Sequence, residues 1–351
     1  MRIGVSGAGG KIGTYICTYL EQFLPKVEII GGSRKESESV HALQKALNGF
    51  RWKRLDLEDK ADLADFSEGL DLFINAAGSA LLSENGRREI LGKMPMIEVG
   101  YEYTFEALSE NEFPHTFLYG VGTAPGFTGL LSRAVLEKLE EIGEKATGRK
   151  LWYLVREEIS RSAAEDMANL FVSVSGNKSS ECRKKEAEYL PLFKEAVYPF
   201  QYYDAEAAAV DRIYGIRGSE TYMLWEDGDL YHIAARYAGN KVGLTEYFMK
   251  ASVAAAAESR MIRIAAEAST AEGARTVVLE GPSQSALSGC TCAATAASLL
   301  FQSGGASVSG LAEYREWKEV FNRVVASGIF RMNESYEQTM ESLGEEENGE
   351  F

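Results

Sequence analysis

The clearest chemical capacity in this chain lies in Gly7-Ala8-Gly9-Gly10-Lys11-Ile12-Gly13. Gly7, Gly10 and Gly13 recur at three-residue intervals, which permits a tight turn, close approach of backbone N–H groups to a pyrophosphate, and packing of a helix onto a strand. A register beginning Gly7-x-Gly9 would need its sixth-position glycine at Ile12, so the spacing that operates is G-x-x-G-x-x-G. The bland alternative is a tight connection that holds no ligand. The second candidate is Ser33-Arg34-Lys35, at the end of a second apolar run. An acid at that place accepts from a ribose 2′-hydroxyl, whereas cations suit a 2′-phosphate. The first acid here is Glu36, so the triplet predicts NADPH over NADH, a basic surface turn being the alternative.

Elements of alternating type must position these residues. Arg2 to Ser6 reads as a buried strand, and Ile12, Ile16, Tyr19, Leu20 and Phe23 then recur at helical spacing. Val27 to Gly31 is a second strand, Ser39 to Leu47 a helix, and Phe50 to Leu55 a third strand ending in Asp56 and Leu57, where adenine is often contacted. Leu70 to Asn75 is a fourth strand running into Ala76, Ala77 and Gly78, small enough for backbone to lie against a cofactor. Met94 to Val99 leads to Gly100 and Tyr101, and Phe117 to Val121 leads to Pro125 and Gly126. This rhythm predicts a doubly wound parallel sheet whose ligands bind beyond the carboxyl ends of its strands.

From about Lys150 the character changes. Leu151 to Ile159 is strand-like, Ala163 to Val174 helical, and Ser179 to Glu188 a charged helix. Aromatic stretches follow at Tyr198 to Tyr203 and Thr221 to Tyr237, the latter with a hairpin turn at Glu226-Asp227-Gly228-Asp229. Thr245 to Glu267 reads as one long Ala-rich helix, Arg275 to Glu280 as a strand, and Cys290 to Phe301 as a small-residue helix. The predicted organisation is a Rossmann domain over 1–145 and an α+β substrate and dimerisation domain with a mixed, largely antiparallel sheet over 146–310. A helical C-terminal segment over 311–351, possessing an acidic tail, would return to the first domain.

Composition narrows the function. At 351 residues, with 45% hydrophobic and 25% charged residues, the chain is an ordinary globular protein long enough for two domains. A formal charge of −15 argues against nucleic acid or an anionic membrane as partner. No leader segment and no long apolar run is seen, which predicts a cytoplasmic protein. Cys17, Cys182, Cys290 and Cys292 make no disulfide framework, and with His41, His115 and His232 the only histidines they read as small buried thiols rather than a zinc site.

Four features together resemble the saccharopine dehydrogenase superfamily, which includes saccharopine reductases, carboxynorspermidine synthases and lysine 6-dehydrogenases. They are the glycine loop, Asn75-Ala76-Ala77-Gly78, the block from Gly122 through Pro125-Gly126-Phe127-Thr128-Gly129 to Leu131, and the late helix Ser288 to Leu300 with Gly310-Leu-Ala-Glu313 after it. The chain departs from the family at Gly129, where Asn is common, at Glu98, where the family tends to show Asp, and at Gly289-Cys290. The resemblance implies a Rossmann domain, a second α/β domain on a mixed sheet, and reduction of an imine formed from an amine and a carbonyl compound.

Imine reduction asks the protein to hold two reactive carbons together, exclude water and manage one proton. Glu98 and Tyr101 at a strand end are candidates for orienting acid and proton donor, with cofactor binding or helix capping as alternatives. For a substrate carboxylate the fitting side chain is arginine. Arg161 is the first choice among Arg156, Arg161, Arg217 and Arg236, each of which also fits a surface salt bridge. His232, inside an aromatic strand, fits a core role equally well. No Ser-His-Asp arrangement supports a hydrolase. A non-catalytic NADP-binding sensor or scaffold remains an alternative, as does an extended short-chain dehydrogenase or epimerase, although no Tyr-x-x-x-Lys occurs between Leu82 and Leu151.

Overall fold

The structure is a computed structural model that describes the chain apart from residues 103, 106–107, 109–112, 177–187, 191–192, 194, 226–236, 238–239, 272, 303–304 and 337–351. It divides into two compact units, Met1–Leu130 with Ser285–Gly328, and Leu131–Gln284 with Ile329–Phe351. The boundaries read from sequence stood at 145 and 310.

The first unit is built on β1 (Arg2–Ser6), α1 (Lys11–Phe23), β2 (Glu28–Ser33), α2 (Glu38–Ala46), β3 (Phe50–Arg54), α3 (Lys60–Ser67), β4 (Leu72–Asn75), α4 (Glu84–Leu91), β5 (Met96–Glu98) and β6 (Phe117–Tyr119). With β13 (Val308–Gly310) added from later in the chain, its seven-stranded sheet has the order β13-β6-β5-β4-β1-β2-β3, every neighbour pair being parallel. The parallel sheet predicted from short apolar runs is therefore present. Strand order reverses at β1, which lies between β4 and β2, and such a switch point opens a crevice at the strands' carboxyl ends. Leu63, Phe66, Phe73, Phe105 and Phe117 contribute to one buried core of this unit.

The second unit holds β7 (Gly148–Arg156), α6 (Arg161–Gly176), β8 (Glu188–Leu190), β9 (Glu195–Tyr202), α7 (Ala205–Tyr214), β10 (Glu220–Trp225), α8 (Lys241–Glu258), β11 (Met261–Ser269) and β12 (Ala274–Gly281), after α5 (Phe127–Glu141) has carried the chain across the division. The chain then returns to the first unit as α9 (Gln284–Leu299), β13 (Val308–Gly310) and α10 (Trp317–Ala326), and ends its described part in β14 (Arg331–Tyr336). The second sheet runs β14-β12-β11-β7-β10-β9-β8, with β10 parallel to β7 and its other pairs antiparallel. The mixed, largely antiparallel sheet is thus as expected.

Two elements differ from expectation. The Ala-rich run is not one helix: α8 stops at Glu258, Ser259 is extended with φ −163° and ψ 143°, and Met261–Ser269 is strand β11. Alanine favours helix in isolation, but β11 is flanked on both sides by strands, and Ala265, Ala266 and Ala268 are fully buried. Likewise the C-terminal segment is not helical throughout. Gly328, at φ +71°, follows α10, and the chain then pairs with β12 as β14. The predicted hairpin turn at 226–229 lies outside the described residues. So does the predicted charged helix, except that Glu188 begins β8.

The late helix α9 explains why the first unit is discontinuous. Ser285 through Leu299 are all buried, so α9 has no solvent face. A Cβ on Gly289 would lie 3.0 Å from the Ile16 nitrogen and strike Tyr15 of α1, while Thr123 and Ser288 hydroxyls sit 2.9 Å apart. Small residues let this helix approach α1 at backbone distance. Among the described cysteines, Cys17, Cys290 and Cys292 are free and buried, and burial pushes the Cys290 thiol up to about 12. Cys182 lies outside the described residues.

Candidate functional site

At the end of β1 the chain turns through Gly7, whose φ of +70° only glycine adopts without strain. A Cβ there would also lie 2.8 Å from the Ala76 carbonyl oxygen and 2.9 Å from Ala77 Cα, so the loop rests directly on the end of β4. A Cβ on Gly13 would strike the Gly7 carbonyl and come within 2.8 Å of Ala8 Cα. The loop is tied to β2 by Gly7 N–H and Ala8 N–H, which donate to the Gly32 carbonyl at 2.8 and 3.3 Å, and is closed by Gly10 N–H on the Gly7 carbonyl at 2.9 Å. Gly10 is the N-cap of α1; no side chain caps it and no acid stands in the first turn, which Lys11 and Ile12 open. An uncapped helix start with this cradle fits a pyrophosphate. These residues therefore fit a dinucleotide.

The neighbouring strand ends complete the cradle. Ser37 caps α2 by accepting from Val40 N–H, and its Oγ lies 2.7 Å from where a Cβ on Gly9 would stand, so the turn after β2 packs against the glycine loop. That turn carries Ser33, Arg34 and Lys35. Arg34 and Lys35 are exposed and pair with no described acid, whereas Ser33 is held internally. Asp56 is half-buried: its carboxylate accepts from Glu58 N–H at 3.2 Å and its own N–H donates to Asp62 Oδ2 at 3.1 Å. Leu57 is a core residue.

Behind Ala76 and Ala77 lies a buried polar chain that sequence reasoning had not assembled. Asn75 Oδ1 accepts from the Ser6 hydroxyl at 2.6 Å and from Ala77 N–H at 3.2 Å, and its Nδ2 donates to Glu98 Oε2 at 2.8 Å and to the Gly78 carbonyl at 3.4 Å. Glu98 is fully buried, and its Oε1 has no hydrogen-bond partner among the described residues. Burial raises its carboxyl to about 7, against the lowering effects of Asn75, the Arg87 charge, Ser79 and the Gly100 N–H. Arg87, also buried, donates to the carbonyls of Ser79 and Leu82 at 3.4 and 3.3 Å and lies 4.5 Å over the Phe105 ring. Asn75 and Glu98 each end an otherwise apolar strand, which is the one signal in the sequence that marks them.

Tyr101 is half-buried, packed on the core with its ring 6.0 Å from that of Tyr119, and Gly100 accepts from Gly120 N–H at 2.9 Å. In the Pro-Gly block, a Cβ on Gly126, at φ +130°, would lie 2.7 Å from the Gly120 carbonyl, and Pro125 is half-buried just before α5. The first unit thus brings together the loop, Ala76, Ala77, Gly78, Glu98 and Gly100, while Tyr101 packs on Tyr119 and the core. Arg161 belongs to the second unit, where it opens α6, is more than half exposed and pairs with Glu246 of α8. His232 lies outside the described residues. Among the described residues no group of His, Cys, Asp and Glu could hold a metal, and no helix is long and apolar enough to cross a membrane.

Residues 3–91 match the model of the NAD dependent epimerase/dehydratase family. No curated protein matches the sequence. Among solved structures, apo saccharopine dehydrogenase (L-Glu forming) from Saccharomyces cerevisiae superposes with a TM-score of 0.61 at 12% identity, covering 95% of this chain and 100% of that one. A dTDP-glucose 4,6-dehydratase from Bacillus anthracis in complex with NAD covers 28% of this chain and 37% of its own, at 15% identity and a TM-score of 0.23. Gre2 in complex with NADPH from Candida albicans covers 28% and 37%, at 14% identity and a TM-score of 0.22. The last two scores are too low to define a common fold. Over nearly its whole length the chain carries the fold of saccharopine dehydrogenase, the resemblance that its motifs had suggested.

Proposed function

We propose that this protein is an NADPH-dependent oxidoreductase of the saccharopine dehydrogenase type, reducing a carbon–nitrogen double bond in an amino-acid-derived or other small, carboxylate-bearing substrate. The observation that carries the reading is the cradle: at Gly7 and Gly13 a side chain collides with backbone, and the adjoining helix start has no cap of its own. The fold shared with saccharopine dehydrogenase adds to it.

Bound NADPH would supply the hydride. The chain's part is to hold the pyrophosphate at the start of α1, the ribose phosphate at Arg34 and Lys35, adenine near Asp56 and Leu57, and the far end against Ala76 to Gly78, Gly100, Pro125 and Gly126. Tyr101 is assigned the proton for the product nitrogen. Glu98, being fully buried, acts as the orienting acid behind it. Arg161 is assigned the substrate carboxylate: an exposed ion pair such as that with Glu246 contributes at most about 1 kcal/mol, so a substrate can displace the glutamate. His232 is assigned a role in binding the substrate. The protein is proposed to act in the cytoplasm as a homodimer and, in keeping with its net charge of −15, apart from nucleic acid and anionic membranes.

The test is twofold. NADPH and NADH are titrated into the protein by nicotinamide fluorescence, and absorbance at 340 nm is followed with paired amines and oxo acids or aldehydes. NADPH should bind more tightly, and Arg34→Ala should weaken it about tenfold while leaving NADH unchanged, the loss of roughly 1.4 kcal/mol. Tight NADPH binding without oxidation by any pair would replace this reading with that of a sensor or scaffold. The family match over residues 3–91 favours an epimerase. Against it, the Tyr-x-x-x-Lys pair such enzymes use is absent between Leu82 and Leu151.

A further inference from the structure

Ser33 ends β2 at the place where the ribose is read, yet its hydroxyl is already engaged. It donates to the Lys35 carbonyl at 2.8 Å and accepts from the indole Nε1–H of Trp52 at 2.9 Å, while the Ser33 carbonyl accepts from Leu55 N–H at 3.0 Å. Trp52 is a half-buried residue of β3, and parallel register sets it opposite Gly31, two residues before Ser33. A hydroxyl has a single proton. With that proton on Lys35 and its oxygen accepting from Trp52, Ser33 has no proton for a phosphate and fastens the turn instead of the ligand. Discrimination in favour of a 2′-phosphate therefore falls to cationic side chains.

The cations of this edge divide into two sets. Lys53 pairs with Asp65 at 3.0 Å and Arg54 with Asp62, so each already has a carboxylate partner on α3. Arg34 and Lys35 pair with no described acid, and they sit on the very turn that the Trp52–Ser33–Lys35 relay closes. The same turn continues to Ser37, which packs on Gly9 of the pyrophosphate loop. Its shape thus sets where the Arg34 and Lys35 backbone stands relative to the cradle.

We propose that Trp52 is a specificity-positioning residue: by donating to Ser33 it locks the turn carrying Arg34 and Lys35 and so sets the preference for a 2′-phosphorylated dinucleotide. The inference rests on the cofactor reading above. Wild type, Trp52→Phe, Ser33→Ala and the double variant are titrated with NADPH and with NADH, and circular dichroism monitors folding. The affinity ratio, NADPH over NADH, should fall about tenfold in Trp52→Phe and in Ser33→Ala, with NADH affinity moving less than twofold. Because both variants break one relay, the double variant should be no worse than either single one. Equal weakening of both dinucleotides, an unchanged ratio, or additive losses would overturn the role of Trp52. If Trp52→Phe fails to fold, the ratio in Ser33→Ala decides. A wild type that binds neither dinucleotide overturns the cofactor reading itself, whereas a wild type preferring NADPH with an unchanged Trp52→Phe overturns only this inference.

Discussion

Each unit buries a charged-type side chain, and the two are handled in opposite ways. In the second unit Arg149 and Asp211 pair at 3.2 Å, both buried, and Asp211 also accepts from Tyr203 at 3.0 Å and Ser219 at 2.7 Å, while Arg149 reaches Ser132 at 3.4 Å. Charge there is answered by charge, and the knot ties β7 to α7. In the first unit Glu98 is equally buried, but its hydrogen bond comes from the neutral amide of Asn75, while the charge of buried Arg87 acts on it without an ion pair, the guanidinium donating to the Ser79 and Leu82 carbonyls. A carboxyl so placed stays poised near neutrality, and its partner holds the backbone on which the glycine loop rests. A buried ion pair is a fastening; a buried carboxyl beside an amide at a ligand cradle is a group that can change state.

That contrast can be broken or sharpened by measurement. The largest effect is expected from Arg149→Met, which leaves Asp211 uncompensated and should cost about 3–5 kcal/mol in urea unfolding, much of it regained in the double variant with Asp211→Leu. A cost below about 1 kcal/mol would show the knot idle and remove the contrast. Next is Glu98. Its folded pKa of about 7 exceeds its ordinary 4.5, so the folded state binds the proton more tightly. Its contribution to stability is full below pH 4.5 and is lost as pH rises through 7, a decline of roughly 3 kcal/mol. The difference between wild type and Glu98→Gln across that window isolates it, and a pH-independent difference would refute the assignment. Gly13→Ala should destabilise by about 1–3 kcal/mol and abolish measurable NADPH binding, since the added methyl meets backbone. The smallest effect is expected at Arg161→Ala: less than about 1 kcal/mol of stability, with any larger consequence confined to substrate KM.

Much of the first unit was legible because its signals are local. Apolar runs marked β1 to β6, and glycine spacing marked the turn onto α1. The polar chain Ser6–Asn75–Glu98 was not, because strand order alone brings residues 69 and 23 positions apart into hydrogen-bond range. Trp52 escaped notice for the same reason, its partner lying on the adjacent strand. In the second unit local propensity misled: alanines that favour helix continue through Ala268, yet neighbours on both sides recruit Met261–Ser269 into a sheet. β14 likewise depends on β12 as a template.

The burial of α9 on every side has a consequence for the order in which the protein is made. When the ribosome has delivered β1 through β6, the Tyr15–Ile16 face of α1 still lacks Gly289, and β6 is an open edge awaiting β13. Both arrive only after residues 131–284 of the second unit have emerged. The unit that carries the glycine loop must therefore wait, incomplete and with apolar surface uncovered, for a helix encoded more than a hundred residues later, an interval in which chaperones have a target.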